Sequence, residues 1–215
     1  MIKIIFTIAL MLLTIFACIG QVDSIKTHSE KDTMIVRSIG TWIYSQKYKI
    51  PIIINYHLYN SGGPINRNYL NFKYYDYTAK NRDYLNSHYD RGHCIPAEDF
   101  AFDSLKLKET MEAFNLTPQT HKYNAGVWYL YECKVREHSK KEPINVIILN
   151  IANPNSFIGD NVHKTLNQYK VCQSIKTKKI LFCVKFFDNG QLSTVEDIDI
   201  TDVQKLIHIK LPLLH

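Results

Sequence analysis

Tyr89-Asp90-Arg91-Gly92-His93-Cys94-Ile95-Pro96 is the stretch of this 215-residue chain whose reading decides the rest. It sets an acid, an arginine and a histidine around one glycine and closes on proline. On an extended strand, residues two apart point to the same face, so Arg91 and His93 would address one point. A histidine there can take a proton near neutral pH. A guanidinium beside it can hold an oxyanion through paired N–H groups. Gly92 between them would let backbone or ligand approach closely. Asp90 is expected to play a supporting part, bonding backbone or positioning the loop, with a direct metal-ligand role as the alternative. Alone, the stretch also fits a surface turn with an incidental ion pair.

A second group follows: Asn115-Leu116-Thr117-Pro118-Gln119, then Asn124, Trp128 and Glu132 at steps of four. On a helix each such step turns about 40° past a full circle, so the three share one slowly drifting face. Asn124 and Glu132 would lie roughly 12 Å apart along the axis, too far for both to bind one ion directly. Helical side chains lean toward the N-terminus, so Glu132 would reach back to a metal-bound water. A hydrated ion with few protein ligands suits Mg2+, with Mn2+ or another divalent cation as the alternative. Trp128 reads as core packing rather than a base-stacking platform. Asn115 and Gln119 are expected to fix the loop and the helix start through side-chain hydrogen bonds.

Together these residues resemble the DNA/RNA non-specific endonucleases of the ββα-metal (His-Me finger) class, which include the endonuclease G group. The matching pattern is DRGH, a small residue and Pro, then N-x-x-P-Q, then Asn, Trp and Glu at spacings of five, four and four. The resemblance runs from about residue 40 to the C-terminus. It implies an α+β fold with a central, mainly antiparallel sheet and flanking helices. It also implies that Asn124 binds the metal, that Glu132 holds the ion's water shell and that His93 is the general base. Arg67-Asn68-Tyr69 resembles the family's Arg-Asn-aromatic segment, in which the arginine offsets charge on the phosphate. The chain departs from the pattern in three places. Asn150-Ile151-Ala152-Asn153-Pro154 stands where a Gly-containing turn is usual, Met111 where Phe is common, and Cys94 where Leu is usual.

The remaining chain fits one domain. A basic Lys3 followed by an uncharged run to Gly20 reads as a secretory signal, hence a secreted or periplasmic protein. A lipoprotein anchored at Cys18 is the alternative. Residues 21 to 35 read as a loose polar leader and 36 to 215 as the nuclease domain. The net charge of +6 suits a polyanionic partner, DNA or RNA. Of five cysteines, Cys94 and Cys133 each follow a candidate site residue. They are expected to meet beneath the site, as a disulfide or as packed thiols. Strands are expected over 49–58, 144–151 and 180–187, and helices over 103–114, 119–138 and 201–209. His88, His121 and His163 read as polar surface. A catalytically inactive nucleic-acid-binding or uptake component on the same fold is the rival reading, as is a secreted interaction module.

Overall fold

The structure, a computed structural model, describes residues 32–188 and 193–207. The signal expected over Met1–Gly20 lies outside the described residues. Among those described, no helix is long and apolar enough to cross a membrane. Two units are distinguished, and the larger runs from Ser29 to Ile198. Its frame is a seven-stranded antiparallel sheet: β1 (Asp32–Arg37), β2 (Gly40–Ser45), β3 (Ile50–Leu58), β6 (Ile144–Ile158), β7 (Val162–Ser174), β8 (Ile180–Asp188) and β9 (Ser193–Asp197), in that spatial order. The apolar runs expected as strands are β3, β6 and β8; β3 and β8 agree with the expected ends to within a residue, while β6 starts where expected and runs seven residues further, to Ile158.

Three differences from the sequence reading have local causes. First, β1 begins at Asp32 and pairs with β2 from Asp32↔Ser45 to Arg37↔Gly40, so residues 32–35, read as leader, belong to the sheet. The charged stretch before them had masked the β-branched pair Ile35-Val36. Second, Asn150 to Pro154 is not a turn but part of β6. The register with β7 shifts at Ile151/Ala152 and again between Ala152 and Phe157. A bulge there accommodates Pro154, which has no N–H to give to a ladder. Third, His163 is buried rather than surface, its ring between the Asn153 carbonyl at 2.8 Å and Asn161 Oδ1 at 3.1 Å.

A two-stranded ribbon, β4 (Tyr89–His93) with β5 (Leu116–Thr120), stands apart from the sheet, and a helix follows it. The registers Arg91↔Pro118 and Gly92↔Thr117 join the two sequence motifs as neighbouring strands. The expected helix over 119–138 is broken into parts. Gln119 belongs to β5, and Thr120 caps a single turn, α3 (His121–Tyr123), by accepting from Tyr123 N. Asn124–Trp128 then coils in a wider π-type turn, where Gly126 leaves helical geometry at φ −104°, ψ −110°. Regular helix resumes as α4 (Tyr129–Ser139). The wide turn holds more residues per turn than an α-helix, so the even 40° drift expected from Asn124 to Glu132 does not hold across it. Helix α4 packs on the sheet through Tyr131, whose ring meets Phe182 at 5.3 Å and Phe186 at 5.2 Å, both edge-on.

The connection between β4 and β5 carries two further turns of helix, 97–100 and α2 (Ser104–Thr110), shorter than the 103–114 expected. Asn115 ties this connection together. Its Oδ1 accepts from Trp42 Nε1 at 3.1 Å and from Ile95 N at 2.9 Å. Its Nδ2 donates to the carbonyls of Ile95 and Thr110, each at 2.9 Å. The amide is fully buried and fully satisfied. Asn115→Ala would leave four buried groups without partners, and an unsatisfied buried group costs about 1–3 kcal/mol. We therefore expect a loss of about 4 kcal/mol or more in chemical denaturation. A loss below about 1 kcal/mol would mean that water replaces the amide.

The second unit is described over residues 199–207. It contains a short amphipathic helix, α5 (Ile200–Ile207). Asp199 Oδ1 accepts from Thr201 N at 2.8 Å at its start, so Asp199 caps the helix.

Candidate active site

Strand β4, the start of the broken helix and the Arg67–Tyr69 turn border one open cleft of about 1250 Å³. It is lined by Arg67, Asp90, Arg91, His93, Asn124 and Glu132, so six of the residues singled out in the sequence meet in it. Gly92, Asn115, Gln119 and Trp128 lie behind its wall, buried.

His93 sits at the end of β4, partly buried, with Nε2 sealed from solvent and without a hydrogen-bond partner. The Phe72 ring lies 5.4 Å from the imidazole and 4.7 Å from the Arg91 guanidinium carbon. Phe72 thus touches both functional side chains of the strand. Arg91 also donates to Asn81 Oδ1 at 2.6 Å, from the turn α1 (Asn81–Tyr84). Burial, then the charges of Arg67 and Arg91, pull the His93 pKa down to about 3. At neutral pH the imidazole is therefore uncharged, the form able to accept a proton.

Asp90 is neither a backbone brace nor a lone surface acid. Its Oδ2 accepts from Asn124 Nδ2 at 3.0 Å and meets His121 Nδ1 at 2.9 Å. The carboxylate thereby fixes which end of the Asn124 amide faces it. The free end is the carbonyl Oδ1, the atom a hard divalent cation takes. His121, read as a bystander, belongs to this wall as the second partner of Asp90.

Glu132 reaches the cleft from α4 with its side chain 13% exposed, 4.0 Å from Arg136 Nη1. Burial pushes its carboxyl up to about 7, opposed chiefly by Lys170. Below it, Arg136 bonds buried Asp99 at 3.0 Å, and Tyr56 donates to the same carboxylate at 3.1 Å. Arg136 lies in the last turn of α4, where a cation would ordinarily serve the helix dipole. Burial and a carboxylate 37 residues away in sequence make it part of the site's floor instead. Neither Phe72, Asp99 nor Lys170 carried a sequence signal, because each acts through a contact far along the chain.

The packing behind the wall explains the remaining motif residues. A Cβ at Gly92 would lie 2.0 Å from Gln119 Oε1, so the close approach that needs glycine is made by the Gln119 side chain rather than by a ligand. Gln119 in turn donates to Gln168 at 3.1 Å, Gln168 to Asn150 at 2.7 Å, and Asn150 to the Pro51 carbonyl at 2.7 Å. This buried row of amides anchors the ribbon to β7, β6 and β3, and Gln119 does not hold the helix start. Trp128 is buried and donates to the His93 carbonyl at 3.2 Å, joining the helix to the end of β4. Of the two arrangements expected for Cys94 and Cys133, the disulfide is not formed. Both are free thiols; Cys94 lies 3.5 Å from Asn150 Nδ2, and Cys133, which lines the cleft, accepts from Arg136 Nη2 at 3.3 Å.

Among the described residues no three His, Cys, Asp or Glu side chains cluster as a metal site. The available donors are an oriented amide oxygen on Asn124 and, further off, the Glu132 carboxylate. Such a set fits a largely hydrated hard cation and not a zinc-type cage.

Comparisons with known proteins bear on the family and the fold. The profile of the DNA/RNA non-specific endonuclease family matches residues 24–195. A 65-residue segment, 30% of the chain, is 38% identical to the mitochondrial nuclease EXOG of Xenopus laevis. It is 40% identical to that of Danio rerio and 35% identical to that of Homo sapiens. The match spans only 18% of the Xenopus protein's length and 19% of the Danio one. A chain in the crystal structure of the EndoG/EndoGI complex superposes with a TM-score of 0.68 at 21% identity, covering 83% of this chain and 84% of that one.

Proposed function

The chain belongs to the DNA/RNA non-specific endonuclease family, and we propose that it is an active, metal-dependent endonuclease that cuts phosphodiester bonds of DNA or RNA with little sequence preference. The observation that carries this is that an uncharged His93 and an Asn124 amide whose carbonyl is left free by Asp90 line the same cleft. His93 takes the proton of the attacking water. Asn124 Oδ1 would hold a divalent cation, Mg2+ by preference, and Glu132 would orient the ion's water shell. Bound there, such a cation would polarise the phosphate and favour departure of the 3′ oxygen. Arg91, held by Asn81 and Phe72, binds the phosphate, and Arg67, which lines the same cleft, offsets charge that develops on it. These contacts address the backbone of the nucleic acid, which supports weak sequence preference.

The rival, an inactive binding or uptake component, would need a disabled base or an occupied amide. A supercoiled-plasmid nicking assay separates the two. With millimolar Mg2+ we expect relaxed and then linear DNA, and with excess EDTA none. Salt-sensitive DNA binding without nicking at any metal concentration would favour the inactive component. We further propose that the chain is exported, on the strength of Met1–Gly20; N-terminal sequencing of the mature protein tests this.

A further inference from the structure

At one end of the sheet three chain segments with no part in the scheme above meet. Leu58 closes β3 beside Ile144, the first residue of β6, and Ile144 lies opposite Ser174, the last of β7. The turns that leave these strands are hydrogen-bonded to one another and to α4. Ile175 N donates to the Pro143 carbonyl at 3.0 Å, and Asn60 N to the Ser139 carbonyl at 2.9 Å. The fold thus places Lys140 and Lys141, at the end of α4, at the same end of the sheet as Lys176 and Lys179, from the turn between β7 and β8. All four lysines are exposed, and among the described residues none of them is in an ion pair. The same segments carry two acids, Glu137 and Glu142, and Glu142 already accepts from the Ser174 hydroxyl. Tyr59, next to Asn60, is 61% exposed there. The helix dipole accounts for cations at the end of α4. It does not account for Lys176 and Lys179, whose turn follows a strand, or for an uncovered tyrosine beside them.

This patch is continuous with the cleft along two routes. Glu132 and Arg136 line the cleft, and Lys140 is the next step of four on the same slowly turning face of α4. It lies roughly 12 Å from Glu132 along the helix axis. From Tyr59 the chain runs through Ser61, whose hydroxyl is hydrogen-bonded to Ser139 Oγ at 2.6 Å, to Gly63 and Pro64, which also line the cleft. We propose that Tyr59, Lys140, Lys141, Lys176 and Lys179 form an exosite for single-stranded DNA or RNA, holding the strand about three to four nucleotides from the bond being cut. A strand carries a phosphate about every 3.4 Å, which sets that spacing. The lysines neutralise phosphates and release counterions. The exposed tyrosine offers a stacking face that any base can use. Continuity with the cleft favours a polyanion that also enters it over an anionic lipid surface. This rests on the reading of the cleft as a nucleic-acid site.

The test is binding of a fluorescein-labelled oligothymidylate of about 20 nucleotides, read by anisotropy in EDTA across a range of salt. Lys140→Gln/Lys141→Gln/Lys176→Gln/Lys179→Gln should bind it about 10-fold or more weakly at moderate salt. The slope of log K against log salt should flatten by roughly 2–3, the share of four phosphate contacts on a single strand. Tyr59→Ala should weaken binding by about 5-fold or more and leave that slope alone. Lys47→Gln/Lys49→Gln, before β3 at the opposite end of the sheet, should stay within about two-fold of wild type. Unchanged affinity and slope in the quadruple variant overturn the exosite. So does a loss in the Lys47/Lys49 control that matches it per charge removed, since net charge alone would then be at work. Weaker binding of the quadruple variant to phosphatidylglycerol vesicles, with oligothymidylate binding intact, would assign the surface to a membrane and overturn the proposal too. Plasmid nicking is a separate readout: binding through these residues without nicking upholds the exosite and refutes only the nuclease.

Discussion

Replacing His93 by alanine is expected to lower cleavage by about 10²–10⁴-fold, the usual contribution of a general base, while DNA binding stays within a few-fold of wild type. The fold should tolerate the change. The Nε2 atom makes no hydrogen bond, so removing the ring orphans no buried partner on that side. The Trp128 bond goes to the His93 carbonyl, which alanine retains. Arg91 and Arg67, the proposed phosphate contacts, are unchanged in this variant. The pH dependence distinguishes this base from a surface histidine. An imidazole drawn down to about 3 by burial and two arginines is deprotonated throughout the ordinary assay range. Its loss of function on acidification should therefore come well below pH 6, and a limb nearer 7 belongs to another group. Glu132, raised to about 7, has the opposite sense: it is a carboxylate above that value and is neutralised as the pH falls through it. Plasmid nicking from pH 4 to 9 checks both statements. A folded His93→Ala variant with near-normal turnover would remove His93 from the role.

The sequence carried the parts of this site that lie close together along the chain. Arg91 and His93 are two residues apart on a strand, and strand geometry alone puts them on one face. Asn124 and Glu132 were legible because a helix repeats, although the repeat is interrupted at Gly126 and the phase computed from a regular helix is wrong there. Gln119 illustrates the limit. Its type marked it as a hydrogen-bonding residue, but its partner Gln168 is 49 positions away, and the register that joins them exists only once the ribbon docks on β7. The same holds for Arg136 with Asp99 and for Lys170 with Trp128. A lysine inside an apolar strand looks like an edge or surface residue until the sheet order shows it covered by a helix. In the fold, the long apolar runs identified β3, β6 and β8. Strands β1, β2, β7 and β9 were missed because their polar and β-branched residues mix without a clean alternation, and pairing rather than propensity makes them strands.

Asn124→Ala is expected to lose more metal-dependent activity than Glu132→Ala. A residue acting on the ion through water typically contributes about 10–100-fold, and we expect Glu132→Ala in that range. Asn124 is expected to touch the ion, and its alanine variant to fall further and to need more Mg2+ for half-maximal rate. The neighbour that aims it supplies a sharper version of the same test. Asp90 Oδ2 accepts from Asn124 Nδ2 at 3.0 Å and so fixes the amide's orientation. In Asp90→Ala the amide can rotate and present Nδ2 to the cleft, which a cation rejects. That variant should raise the Mg2+ requirement while keeping every proposed ligand in place. Asp90→Asn should behave alike or worse, because the new amide can present its own N–H to Asn124 Nδ2. Initial rates against Mg2+ concentration, in variants shown to be folded, decide the order. If Glu132→Ala proves the more damaging at saturating Mg2+, and Asp90→Ala leaves the Mg2+ dependence unmoved, the direct ligand is Glu132. Asn124 would then serve only to tie the helix to β4.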